Sequence, residues 1–290
     1  SPEDKIKRCL DQVNGLPQQI PYSYLQRITG SFADRNVVGK GASSVVYKGV
    51  DTKAFPTTKF AIKKLNDLSK EKIAQARKNA QNRKFRDEIE ILTKFQHPNI
   101  IKLVGYSNDD GNKQGCLCFL YLCYENGSLN ELLLDDKRTS EVLFWNVRIK
   151  IMLGIAKALN YLHRHDPKHA VFHRDIKSSN IVLDNAWNPL LIDCGLSWLL
   201  NDEQAERAKT GQAITVKTYD IAGTPGYMCP TYVEEKRYSV SSEMYSVGCV
   251  ALEIITGKTI AMEDSEGKSI KEALCEFAND RIPVKNALFL

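Results

Sequence analysis

The stretch HRDIKSSNIVLDNAWNPLLIDCGLS, His173 through Ser197, decides how this chain is read. It sets two acids, Asp175 and Asp193, about a short hairpin apart, and it places Lys177 and Asn180 just after the first of them. Two carboxylates and an amide brought to one place offer hard oxygen ligands for Mg²⁺, with one group left to act as a base or orienter. Lys177 supplies a point charge able to neutralise a transferring phosphoryl group. Any one of these residues alone reads as surface decoration, so the rest of the chain carries the weight.

Upstream, NVVGKGASSVVYKGV (36–50) has β-branched residues on both sides of a Gly-x-Gly turn and reads as a hairpin. Gly39 and Gly41 would let its backbone approach a phosphate without side-chain obstruction. KFAIKKL (59–65) reads as a strand that pairs with it. Strand alternation sends Lys63 and Lys64 to opposite faces, so one of them can meet a ligand. KFRDEIEILTKF (84–95) has helical spacing at Phe85, Ile89, Leu92 and Phe95. Glu88 rides on that apolar stripe, where an acid needs a partner, and Lys63 is the obvious one. Asp87 and Glu90 read as solvated charges.

Further strands are expected at IKLVGYS (101–107) and CLCFLYLCY (116–124), and a short amphipathic helix at IPYSYLQRITGSF with Tyr24, Leu25 and Ile28 inward. From Leu129 the pattern turns helical. NVRIKIMLGIAKALNYLH (146–163) carries Ile149, Leu153, Ala156 and Leu159 at helical period. SSEMYSVGCVALEIITGK follows suit, with Ser241 or Ser242 expected to cap it and Gly257 to end it. The order predicts an α+β chain with two lobes and a ligand cleft at their junction. The divisions expected are a helical extension (1–35), an N-terminal lobe of antiparallel strands with one helix (36–124) and a larger helical lobe (125–290).

Bulk properties narrow the classes. Hydrophobic residues make up 43% of 290, enough for a core. A net charge of +5 is too small and dispersed to predict a nucleic-acid footprint. The eight cysteines, at 9, 116, 118, 123, 194, 229, 249 and 275, form no C-x-x-C pair, which disfavours zinc and suits a reducing compartment such as the cytoplasm. No apolar run approaches the ~18 residues of a membrane span. The chain starts at Ser1 rather than methionine and is expected to be part of something longer.

In their order and spacing, GKGASSVVYKG, FAIKK, FRDEIEIL, HPNI, HRDIKSSN, DCG and GTPGY resemble the eukaryotic protein kinases. NGSL, SSNIVLD, GTPGYM, LEIITGK and YSYLQRITGSF resemble most the interleukin-1-receptor-associated kinase, Pelle and plant receptor-like kinase group. The resemblance implies a serine/threonine protein kinase using ATP and Mg²⁺ on protein substrates, downstream of a receptor or adaptor. It implies nucleotide contacts at Gly39, Lys40, Gly41, Val46, Ala61, Leu122, Tyr124 and Val182, and a Tyr121 gatekeeper. Lys63 would bind the α/β-phosphates and pair with Glu88; Asp175 would orient the substrate hydroxyl or accept its proton. Lys177 would meet the γ-phosphate, and Asn180 and Asp193 would hold Mg²⁺. Arg174 beside Asp175 implies control by activation-loop phosphate, with Thr215, Thr218 and Tyr219 as acceptors.

Three departures from the family bear on activity. Cys194 replaces the phenylalanine of Asp-Phe-Gly, whose ring in the family packs between the positions of Leu92 and His173. An unfilled gap there would cost ~2–4 kcal/mol, and Tyr121 can fill it. Thr231 stands in CPTY where the family has Pro-Glu, which removes a buried ion pair. Glu243 replaces the aspartate that braces the catalytic loop, and the chain's end is expected to be truncated or atypical. These changes touch supports rather than the groups that meet ATP. The expected function is therefore an active, weakened kinase; the alternative is a nucleotide-binding pseudokinase acting as a scaffold, and a small-molecule kinase fits GTPGYMCP less well.

Overall fold

Ser1 begins the chain by capping a helix, accepting the Asp4 N–H on its Oγ at 3.2 Å while Pro2 occupies the first turn. The computed structural model describes residues 1–12, 14–66, 75–109, 116–166, 169–200, 204, 215–218 and 221–260. The chain divides after Tyr124 into two compact units.

The first unit contains α1 (Pro2–Asp11), β1 (Gln18–Gln19), α2 (Tyr22–Ile28), β2 (Val37–Lys40), β3 (Ser44–Val50), β4 (Lys59–Leu65), α3 (Gln75–Lys94), β5 (Leu103–Asp109) and β6 (Cys116–Leu122). One sheet takes the order β1-β5-β6-β4-β3-β2, antiparallel except for the β1–β5 edge. Gly105 on β5 makes that edge possible, since a Cβ there would lie 2.8 Å from the Gln18 carbonyl oxygen. Alternation along β4 sends Phe60 and Ile62 into a core with Ile6, Leu25, Ile28 and Leu120, while Lys63 goes to the other face. The N-terminal residues are thus part of this unit's core. Tyr24, Leu25 and Ile28 are its inward residues on α2, as their spacing predicts.

On the opposite face α3 sets Phe85 against Phe119, ring centroids 4.6 Å apart. The helix begins nine residues before the predicted stretch. Its inward stripe is Phe85, Glu88, Ile91, Leu92 and Phe95, with Ile89 only half-buried.

The second unit contains α4 (Leu129–Leu133), α5 (Asp136–Val142), α6 (Trp145–Arg164), β7 (Val171–Phe172), β8 (Ile181–Leu183), β9 (Pro189–Leu191), β10 (Trp198–Leu199), β11 (Thr215–Lys217), α7 (Pro230–Glu235), β12 (Arg237–Ser239) and α8 (Val240–Thr256). Three small antiparallel pairs, β7–β10, β8–β9 and β11–β12, are held among the helices.

Two expectations fail here. The buried face of α6 is Ile151, Ile155, Ala158, Leu159 and Leu162, whereas Ile149 and Leu153 are 56% and 52% exposed and Ala156 is exposed too. The helix is apolar on two faces, so spacing alone fits either register, and packing against β7 and β9 selects one. The cap of α8 is Ser239 rather than Ser241 or Ser242: its Oγ accepts the Ser242 N–H, and Ser242 Oγ returns a bond to the Ser239 N–H at 3.2 Å. Gly257 does end α8, in the left-handed region at φ 74°.

Replacing Ser239 by Ala is expected to lower stability to urea by about 1 kcal/mol, against less than about 0.5 for Ser241→Ala.

Candidate phosphoryl-transfer site

In the first unit the pairing of β3 with β4 sets Val46 opposite Lys63, and β4 with β6 sets Ala61 opposite Tyr121. The Lys63 ammonium donates to Glu88 Oε1 and Oε2 at 3.1 and 3.2 Å, and it lies 5.3 Å from the Phe119 ring centre. Tyr121 adds a third donor, its hydroxyl 2.9 Å from Glu88 Oε1. A nearly fully buried carboxylate is thereby compensated on α3. Lys64, on the other face of β4, lies over the Phe32 ring at 4.4 Å.

The β2–β3 hairpin carries Gly39 opposite Val46 and Lys40 opposite Val45, and the Gly41 N–H closes its turn on the Ser44 carbonyl at 2.8 Å. A Cβ on Gly39 or Gly41 would meet only ordinary contacts, at 3.9 and 3.6 Å. Packing inside the chain does not require either glycine. Leu122 ends β6 opposite Phe60, and Cys123 donates its N–H to the Lys59 carbonyl just before Tyr124.

In the second unit Asp175, Lys177 and Asn180 follow β7, with Ser178–Asn180 wound into a single turn. The β8–β9 hairpin returns the chain so that the Ile192 N–H meets the Asn180 carbonyl at 2.9 Å, which brings Asp193 beside Asn180. Val182 sits mid-β8, bridged to Ser128. Asn180 Nδ2 donates to the Asp175 carbonyl and to its Oδ2, at 2.8 and 2.9 Å. Lys177 Nζ pairs with Asp175 Oδ2 at 2.9 Å.

Sequence reading missed one member of this cluster. Thr224 donates to Asp175 Oδ1 at 2.6 Å and accepts from Lys177 Nζ at 2.7 Å. The available signal was the Gly-Thr-Pro-Gly stretch itself, read for substrate class and not for this residue.

The loop is held from beneath. Glu243, on α8, accepts the Arg174 N–H on Oε1 at 2.8 Å and bonds His163 Nε2 through Oε2 at 2.6 Å. Burial pushes its pKa up, but the bond and charge of His163 and the Arg174 N–H outweigh that and hold it below the ordinary value. The Tyr238 hydroxyl also points at Oε1, at 3.4 Å, and its pKa is driven upward by burial and that carboxylate. His163 is the second residue missed, and α6 presents it inward in its last turn.

His173 is fully buried. Its Nε2 donates to the Ile192 carbonyl at 3.1 Å and its Nδ1 accepts the Asp175 N–H at 3.3 Å, while burial lowers its pKa and favours the neutral ring. Arg174 and Asp193 both take left-handed backbone, at φ 68° and 65°, a strain that local bonds must hold. The Arg174 guanidinium lies 5.1 Å from Trp198 and 5.8 Å from Tyr238 and donates to the Tyr232 hydroxyl. Cys194 is buried in the turn after Asp193.

Of the expected phosphoacceptors, Thr215 starts β11 opposite Ser239, and its side chain lies outside the described residues, as does Tyr219. Thr218 is buried, its N–H on the Lys236 carbonyl at 2.8 Å. Thr231 is exposed.

The family model described as "Protein kinase domain" matches residues 32–287, and the chain belongs to that family. It is 34% identical over 257 residues to cysteine-rich receptor-like protein kinase 29 of Arabidopsis thaliana, a match covering 88% of this chain and 34% of that protein. To the L-type lectin-domain containing receptor kinase IX.2 of the same plant it is 35% identical over 268 residues, covering 92% and 35%. A G-type lectin S-receptor-like serine/threonine-protein kinase from Arabidopsis thaliana matches at 34% over 230 residues, covering 79% and 24%. The chain spans about a third of the length of the first of these relatives.

Replacing His163 by Leu leaves a buried charge without its partner, and a loss of about 3–5 kcal/mol is expected. In the parent, Glu243's depressed pKa contributes stability above its unfolded value near 4.3 that is lost on acidification. Without His163 that contribution is expected to shrink, so the fall of the unfolding temperature on acidification below about pH 4.3 should be shallower than in the parent.

Proposed function

We propose that the chain is a serine/threonine protein kinase domain transferring the γ-phosphoryl group of ATP to protein hydroxyls. The observation that carries this is the Asp175–Thr224–Lys177–Asn180 cluster, a carboxylate whose oxygens are already directed at a hydroxyl and a cation. In this reading the substrate alcohol approaches Asp175 beside Thr224, whose hydroxyl stays bonded to Asp175 Oδ1 and Lys177 Nζ and holds the two in position. Asp175 orients the alcohol and accepts its proton, and Lys177 offsets charge on the group in transfer. Lys63, fixed by Glu88 and Tyr121, holds the α/β-phosphates, with the β2–β3 glycines letting the backbone approach them without side-chain obstruction.

Asn180 and Asp193 offer an amide and a carboxylate oxygen, the hard donors Mg²⁺ prefers; being only two, they suit an ion that completes its shell with phosphate and water. Bound there, the cation would neutralise charge on the phosphates.

The relatives' names are those of receptor kinases, and on that ground we place the chain's action beside a receptor or adaptor at the cytoplasmic face of a membrane. No helix among the described residues is long and apolar enough to cross a membrane. We further propose Thr215, Thr218 and Tyr219 as regulatory acceptors, with Thr218 reached only when the β11–β12 region opens.

The test is a peptide array bearing serine, threonine or tyrosine, incubated with the chain, Mg²⁺ and ATP. Incorporation on serine and threonine is expected, falling by about 10²–10⁴ in Asp175→Asn. Thr224→Ala is expected to lower kcat and Thr224→Ser to restore most of it. Nucleotide binding without incorporation above the Asp175→Asn background would favour the scaffold reading.

A further inference from the structure

Arg174 carries its charge into a pocket built of rings. The guanidinium lies 5.1 Å from the centre of the Trp198 ring and 5.8 Å from that of Tyr238, within the range at which an aromatic face attracts a cation. A guanidinium suits such a place because it is planar and weakly hydrated. The rings are themselves fixed. β10 pairs with β7 so that Trp198 stands opposite Phe172. The Phe172 and Tyr238 rings meet at 5.4 Å, and Tyr238 meets Tyr232 edge-on at 4.9 Å. Phe172, Tyr232 and Tyr238 are buried in one apolar cluster, and Trp198 packs against it.

The same guanidinium joins segments that lie far apart in the sequence. Nη1 reaches the Leu196 carbonyl at 3.5 Å, in the turn after Asp193, and Nη2 donates to the Tyr232 hydroxyl on α7 at 3.3 Å. That hydroxyl also accepts the Ala222 N–H at 2.8 Å. Ala222 is two residues before Thr224, whose hydroxyl bonds both Asp175 and Lys177. Gly223 lies between them at φ 137°, and a Cβ there would stand 3.1 Å from the Arg174 carbonyl oxygen. Arg174 therefore holds the Thr224 segment twice, through its side chain and through its backbone. A loop phosphate orders such a segment by meeting the arginine's charge. Here the ring faces of Trp198 and Tyr238 meet it.

We propose that Trp198 and Tyr238 are positioning residues that hold Arg174 by their ring faces and so keep the Thr224 segment on Asp175 in the unphosphorylated chain. The catalytic consequence rests on the kinase reading above, since the place of Thr224 matters to turnover when Asp175 takes a substrate hydroxyl. Phosphate on Thr215, Thr218 or Tyr219 then adjusts turnover and does not assemble the site.

Hydrogen–deuterium exchange tests this on the full chain, treated with phosphatase and shown by its mass to carry no phosphate. The peptide spanning Ala222 to Tyr227 is expected to be protected in that state. Trp198→Ala should speed its exchange by about tenfold or more, and Trp198→Phe should restore most of the protection. Peptides from β8 and β9 should stay unchanged in both variants, which shows the unit to be folded. Unchanged exchange in Trp198→Ala would overturn the proposal, as would fast exchange already present in the phosphate-free parent. Kinetics supply a second arm, on a chain in which Thr215→Ala, Thr218→Val and Tyr219→Phe remove the acceptors. Its kcat on a serine/threonine peptide is expected to stay within about threefold of the parent's. Adding Trp198→Ala should lower kcat by about tenfold or more with KM for ATP little changed, and Trp198→Phe should recover it. A loss of about tenfold on removing the acceptors alone would overturn the proposal by giving the task to phosphate. Absence of transfer by every chain, the parent included, would sink the kinase reading, and the exchange arm would still decide whether Trp198 holds the segment.

Discussion

The Glu243 carboxylate is fully buried and can persist as an ion only because three partners meet it. An uncompensated charge at such a site would cost several kcal/mol, so its partners are fixed in place as firmly as it is. The Arg174 N–H is one of them, and that bond holds a left-handed residue at the start of the catalytic loop. From there the geometry propagates. Asp175 is tied through its N–H to His173, His173 to Ile192, and Ile192 to Asn180, so the loop and the Asp193 turn form one bonded object. Glu243 meets the loop with Oε1 while His163 takes Oε2.

The first unit solves a similar problem with different means. Glu88 is buried on α3 and satisfied by Lys63 and Tyr121 together. The tyrosine hydroxyl does part of the work of compensation, which leaves the lysine held at about 3 Å rather than alone against the acid. The sheet register that puts Val46 opposite Lys63 and Ala61 opposite Tyr121 follows from alternation, since a slip of one residue would bring Phe60 and Ile62 out of the core. Cys194 does not enter either set of bonds described for Glu88 or Glu243. Its burial is compatible with a small filler in the turn after Asp193.

Much of this was legible before any coordinates. Period-two patterns located the hairpin and β4, including the opposite fates of Lys63 and Lys64, because a sheet with one buried face leaves little freedom. The stripe on α3 exposed Glu88 as an acid in an apolar row and so named its partner. What spacing could not supply was the choice between equivalent solutions. α6 is apolar on two faces, and only its packing against β7 and β9 decides that Ile155 rather than Leu153 turns inward. Ser239, Ser241 and Ser242 could each cap α8, and the strand β12 ending at Ser239 selects the first of them. Thr224 and His163 escaped because each acts through a residue far away in sequence, and neither has a local pattern to mark it.

The central claim, that these supports carry working phosphoryl-transfer chemistry despite Cys194, is tested most directly by mass spectrometry of the chain after incubation with Mg²⁺ and ATP, beside an Asp193→Asn chain. Phosphate on threonine or serine of the unsubstituted chain alone is the predicted result. Equal absence of phosphate from both chains, with ATP binding to each verified by thermal shift, would contradict it.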